Sequence, residues 1–236
     1  MIRVEKISKS FYGQKIVSNL TLSIKKGEVF GFLGPNGAGK TTTIKMLVGL
    51  NLPDSGSILV DDNSPTQKNT RSKIGFMPEN PYFYDHLTGI ELLKFCNDLS
   101  VGKHKTDLKF LESTLKQVGL ENAGRKMIRE YSKGMKQRLG LAQAIIHDPD
   151  YIFLDEPLDG LDPIGRLEIK EIVKVLKGRG KTVFFNSHIL SDVEEICDEI
   201  GIINNGRLMY MGEVDKFRGN KTLEEAFVEA IRKGEK

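Results

Sequence analysis

The chain has 236 residues, enough for one well-packed domain with a smaller satellite and too few for two full enzymatic domains. Its 35 Lys and Arg against 32 Asp and Glu are interspersed, which excludes the basic stripe of a nucleic-acid binder, and no direct binding of nucleic acid is expected. Cys96 and Cys197 lack a CxxC spacing, which excludes a metal knuckle or disulfide framework and fits a reducing cytoplasm. With no apolar signal core and no run of about 18 apolar residues, any membrane role is expected to run through a partner.

Residues 2–33 read as β-rich. Apolar side chains at Ile2, Val4 and Ile7, then at Leu20, Leu22 and Ile24, are broken at Gly13 and at Lys26-Gly27. Their alternation predicts a half-buried antiparallel layer. The run Val29-Phe30-Gly31-Phe32-Leu33 is continuous, as expected of a strand covered on both faces in a parallel sheet.

The next eight residues, Gly34-Pro35-Asn36-Gly37-Ala38-Gly39-Lys40-Thr41, satisfy the phosphate-loop pattern G-x-x-x-x-G-K-[ST] between a strand pattern and a helical one. Glycines let the backbone curl so that N–H groups face a polyphosphate, and the positive end of the following helix adds to the attraction. Lys40 brings a full charge to the β- and γ-phosphates, and Thr41 offers a hydroxyl to Mg²⁺, with Thr42 beside it in the same site. Ile44, Leu47 and Val48 lie at helical spacing to bury this element. The context predicts a nucleoside-triphosphate binder.

From about Leu87 to His147 the pattern is helical, with Leu108, Leu111, Leu115 and Val118 on one face, Thr106 as N-cap and Gly119 as stop. Continuous apolar runs return at Tyr151–Leu154, Thr182–Phe185 and Ile200–Ile203. A helix from Asp162 has Pro163 at its first position and ends near Gly178, and Ser191 with Glu194 predicts a capping box after His188. The expected fold is α/β: a P-loop NTPase core with a mixed, mainly parallel sheet, an N-terminal antiparallel β layer and a helical insertion. The core is assigned to 1–80 and 149–220, the helical subdomain to 81–148, and a short C-terminal helix to 221–236. Asp155 and Glu156 close the run Tyr151–Glu156 at a strand's carboxyl end, where such sheets bind ligands. Asp155 is placed to hold the metal through a water, and Glu156 to orient or deprotonate the attacking water.

With these motifs in order along nearly its whole length, the chain resembles an ATP-binding-cassette (ABC) ATPase subunit. Gly34–Thr41 matches Walker A and Tyr151–Glu156 matches Walker B. Pro157-Leu158-Asp159-Gly160-Leu161-Asp162 is similar to the D-loop, and Asn186-Ser187-His188 to the switch-histidine segment. The resemblance implies that ATP and Mg²⁺ are bound, that Tyr12 stacks on adenine, that His188 meets the γ-phosphate, and that Asp162 belongs to the nucleotide site. The family signature Leu-Ser-Gly-Gly-Gln is here Tyr131-Ser132-Lys133-Gly134-Met135, keeping Ser132 and Gly134 for the γ-phosphate and adding the charge of Lys133. Glu79 stands where the family commonly has glutamine, and its carboxylate can still ligate Mg²⁺.

In this family the signature of one subunit completes the ATP site of another, which implies a symmetric homodimer that closes on ATP and reopens on hydrolysis. The resemblance further implies a separate membrane permease, contacted through the apolar stretch after Glu79. The short C-terminus is similar to that of bacterial exporter-type subunits. The expected place is the cytoplasm, peripheral on the inner face of the membrane. Competing readings are a soluble ABC ATPase acting on DNA or ribosomes and a poorly hydrolysing regulatory subunit. An Asn-Lys-x-Asp guanine reader is missing, since Asn220-Lys221-Thr222 stops short, which speaks against a GTPase.

Overall fold

A computed structural model describes residues 1–101 and 107–234. Two strands, β1 (Ile2–Phe11) and β2 (Gln14–Ile24), form a hairpin within the predicted antiparallel layer, and β4 (Ser55–Val60) adds to its far side in the order β2-β1-β4. The pairing is antiparallel throughout, with Ile2 opposite both Ile24 and Val60.

The second sheet has six strands: β3 (Val29–Leu33), β5 (Ile74–Met77), β6 (Tyr151–Asp155), β7 (Thr182–Ser187), β8 (Glu199–Asn204) and β9 (Arg207–Glu213). They run β5-β6-β7-β3-β8-β9, parallel except for the antiparallel edge strand β9. Helix α1 (Lys40–Leu47) follows β3, and the single turn α2 (Lys68–Arg71) precedes β5.

Helices α3 (Gly89–Val101), α4 (Leu108–Gln117) and α5 (Lys133–Ile145) occupy the segment between β5 and β6. Beyond β6 come α6 (Pro163–Gly178), α7 (Leu190–Ile196), α8 (Val214–Arg218) and α9 (Leu223–Gly234). Asp107 caps α4 by accepting from the Lys109 amide, while the expected cap, Thr106, lies outside the described residues. Gly119, at φ +67, follows the end of α4 as expected.

The continuous strands are apolar all round because each face has its own core. On one face Phe30, Phe32, Phe153 and Phe184 pack with α1 and the antiparallel layer, and the rings of Phe32 and Phe184 have centroids 5.5 Å apart. On the other, Leu33, Leu154, Val183 and Phe185 join side chains from α3 to α9. Burying strand side chains on both faces contributes about 1.5–3 kcal/mol each, and it fixes where the carboxyl ends of β3, β6 and β7 emerge.

Candidate functional site

Those three strand ends meet at the phosphate-loop pattern. Gly37 and Gly39 take φ values of +77 and +106, a region open to glycine without steric cost. Gly39 stands at the N-cap of α1 with no side-chain cap hydrogen bond, so its first N–H groups have no side-chain acceptor. A side chain at Gly34 would collide with the carbonyl of Ile203, the loop being seated against the end of β8. Lys40 is 7% exposed, and its Nζ donates to the carbonyls of Gly34 at 2.8 Å and Pro35 at 3.4 Å.

Asp155 and Glu156 leave β6 beside it. Asp155 and Asn186 are register partners on β6 and β7. Asn186 Nδ2 donates to Asp155 Oδ1 at 2.5 Å, and Asn186 Oδ1 accepts from the Glu156 amide at 2.8 Å. Thr41 Oγ1 also donates to Asp155 Oδ1, at 3.2 Å. Burial raises the Asp155 carboxyl above its usual range, and the negative charge of Glu156 adds to the rise. The hydrogen bonds from Asn186 and Thr41 oppose it.

Glu156 sits at φ +50, a conformation that costs a non-glycine residue about 1–3 kcal/mol and is held here by its surroundings. Its Oε2 accepts from the His188 amide at 3.2 Å and lies 2.9 Å from His188 Nδ1, and its Oε1 is 3.6 Å from Lys40 Nζ.

Of these groups Lys40, Thr41, Glu156 and His188 open onto a cavity of about 660 Å³, while Asp155 and Asn186 are buried and not part of its wall. The loop and α1 supply Asn36, Gly37, Gly39, Lys40, Thr41 and Thr42, and the segments that follow β5, β6 and β7 supply Glu79, Glu156, Asp159 and His188. Phe11 and Ile16, from the β1-β2 hairpin, complete the wall. A glycine loop, an uncapped helix start, a buried lysine and paired carboxylates form a receptor for a triphosphate with its cation.

The sequence model of the family described as ABC transporter matches residues 17–159. The chain belongs to the ABC transporter family. An uncharacterised ABC transporter ATP-binding protein of Nostoc sp. is 46% identical, over 88% of this chain. The chain spans 63% of that relative's length. A lantibiotic transport ATP-binding protein of Streptococcus pyogenes is 38% identical over 96% of both chains. A solved ATP-binding subunit of an ABC transporter superposes with a TM-score of 0.87 at 29% identity, covering 98% of this chain and 99% of that one.

Against the ABC motifs, several predicted site residues lie outside the cavity wall of a single chain. Tyr12 is fully exposed at the hairpin turn with φ +50, and its neighbour Phe11 lines the wall instead. Ser132 caps α5 by accepting from the Met135 amide at 3.2 Å, and Gly134 sits in the first turn of that helix. Asp162 caps α6, accepting from Gly165 N at 2.7 Å, with Pro163 next as read from the sequence. Pro35 and Ala38 shape the loop through their backbone, the Ala38 amide donating to the Pro35 carbonyl at 3.1 Å.

The predicted capping box at Ser191 and Glu194 does not form. β7 runs almost directly into α7, which starts at Leu190 with Ile189 as an uncapped N-cap, so Ser191 is already inside the first turn. Reciprocal boxes occur instead at Thr88 with Glu91 and at Thr222 with Glu225. Sequence reasoning also missed Phe11, Ile16, Asp159 and Asn186. The T-x-x-E spacing could have found the two boxes; Asn186 needs the β6-β7 register. Among the described residues no helix is long and apolar enough to cross a membrane, and no cluster of His, Cys, Asp or Glu has metal-binding composition.

Proposed function

We propose that the chain binds and hydrolyses ATP as the nucleotide-binding subunit of an ABC transporter. The observation that carries this reading is the meeting of Lys40, Glu156 and His188 beside the N-terminus of α1. Lys40 turns from its carbonyls to the β- and γ-phosphate oxygens, and the first amides of α1 donate to the same groups. Glu156 takes a proton from the attacking water at Oε1 while the His188 amide holds Oε2. The water oxygen bonds to the γ-phosphorus as the bond to the departing ADP oxygen breaks. His188 then donates to the developing charge.

Thr41, Asp155 and Glu79 would hold Mg²⁺. They are hard oxygen donors, and the 3.2 Å contact between Thr41 and Asp155 brings two of them together. When bound, the cation neutralises charge on the β- and γ-phosphate oxygens. The base is assigned to the hairpin wall of Phe11 and Ile16, with Tyr12 at its tip.

Ser132, Gly134 and Asp162 are assigned to the partner-facing side of a homodimer, which is supported by their positions at helix starts outside the chain's own cavity wall. In the same reading, 81–148 is the helical subdomain, 1–80 and 149–220 form the core, and 221–236 is the C-terminal helix. Closure of the dimer drives a separate permease from the inner face of the membrane, and export is the proposed direction. The lantibiotic-transport relative supports a transport role.

Two measurements test this. Glu156→Gln is expected to lower kcat about 100- to 1,000-fold with ATP binding retained, and equal, negligible rates in both forms contradict hydrolysis. Purification from native membranes is expected to bring down an integral membrane protein. Ribosomes or DNA in its place overturn the transport reading.

A further inference from the structure

Lys133 replaces the first glycine of the family signature, and its side chain, though mostly exposed, has a partner. It crosses to the D-loop of its own chain, where Nζ lies 3.6 Å from Asp159 Oδ2. It passes directly over Gly160: a Cβ built there would collide with Nζ and lie 2.7 Å from Cε. Gly160 has φ +65, so its backbone favours glycine, and the absence of a side chain there leaves the lysine its path.

A lysine in the first turn of a helix faces the positive end of the dipole and is disfavoured there. Asp159 supplies the compensating charge. Asp159 also lines the nucleotide cavity, where a bare carboxylate would repel a triphosphate. The two side chains are 60% and 43% exposed, so the pair does little for folding, and its effect falls instead on whatever polyanion approaches Asp159.

We infer that Lys133 is a positioning residue that clips the D-loop to the signature helix and neutralises Asp159 at the wall of the nucleotide cavity. This rests on the reading that the cavity takes ATP. The lysine acts through Asp159, within one protomer, before any dimer forms.

The test measures ATP binding by fluorescence titration in a Glu156→Gln background, at protein concentrations too low for dimers and at low and high salt, together with amide exchange without nucleotide at Leu161, whose N–H donates to the Leu158 carbonyl. Lys133→Met is expected to weaken ATP about three- to tenfold, the size of effect that an exposed, salt-screened charge exerts on a polyanion. The loss shrinks at high salt, and the double variant with Asp159→Asn recovers the parental affinity. Exchange at Leu161 rises in Lys133→Met and stays raised in the double variant, because neutralising Asp159 restores binding without restoring the clip. Unchanged affinity in Lys133→Met, or a loss that Asp159→Asn does not reverse, overturns the inference while leaving the ATP site intact. Failure of the Glu156→Gln parent to bind ATP overturns the site reading, and the inference with it.

Discussion

Asn186 and Asp155 face each other across β7 and β6 at 2.5 Å, and the same amide accepts the backbone N–H of Glu156 at 2.8 Å. One buried side chain thereby holds the Asp155 carboxylate and the backbone of Glu156. Asn186→Ala leaves the buried Glu156 amide without an acceptor, costing about 1–3 kcal/mol, and removes one of two donors to Asp155 Oδ1, costing about 1 kcal/mol more while Thr41 remains. Urea unfolding of this variant is expected to show a loss of about 2–4 kcal/mol, with ATPase activity falling further than stability explains. A midpoint equal to wild type removes the bridging role.

His188 Nδ1 lies 2.9 Å from Glu156 Oε2. Replacing His188 with Ala leaves the backbone amide on Glu156 Oε2 but removes the imidazole contact and a donor near the γ-phosphate, so kcat should fall about 100-fold or more with a small change in KM. A rise in KM at constant kcat would assign His188 to uniform binding instead.

Tyr12 and Phe11 separate by where their rings sit. Tyr12 is fully exposed, so Tyr12→Ala should leave the melting temperature unchanged while weakening ATP about tenfold if its ring swings over the base, the size of one base–aromatic stack. Phe11 lines the wall, and Phe11→Ala should weaken binding by a similar amount. Calorimetry on the two variants decides which ring carries the stack.

His147 gives a pH dependence with a defined sign. Its Nε2 is 3.0 Å from the carbonyl of Ile74, so it serves as donor, while Nδ1 is buried with no hydrogen-bond partner. Burial lowers the pKa of the imidazole, against the Ile74 carbonyl and Asp148, which favour its charged form. Above about pH 6.5 both folded and unfolded chains carry it neutral, and it gives no slope. As pH falls through that value the unfolded chain takes the proton first, so stability declines until the lower folded pKa is reached. His147→Gln is expected to flatten this part of the stability profile, and a slope identical to wild type between pH 7 and 5 contradicts the assignment.

Much of this was legible along the chain because it is local. The loop Gly34–Thr41, the runs ending in Leu33 and Asp155, and the Asp162-Pro163 helix start each announce themselves within a few residues. What was not legible depends on register or on side chains distant in sequence. β4 and β9 are short, partly exposed strands whose pattern gains meaning only beside β1 and β8. Asn186 looks like an ordinary strand end until the β6-β7 pairing puts it opposite Asp155. Lys133 reads as added charge for a γ-phosphate until α5 and the D-loop are brought together. The Ser191 box failed because spacing alone does not say where a strand hands over to a helix.

The central claim is that a triphosphate held by Lys40 of one copy is closed over by the signature helix of another. Sedimentation of Glu156→Gln with and without ATP tests it, beside the same chain carrying Gly134→Asp. The added carboxylate suits a helix start and so spares α5, but it repels a phosphate. The account predicts ATP-dependent dimers for Glu156→Gln and, with Gly134→Asp, monomers that still bind ATP. A chain that stays monomeric at saturating ATP, or dimers indifferent to Gly134→Asp, would contradict it.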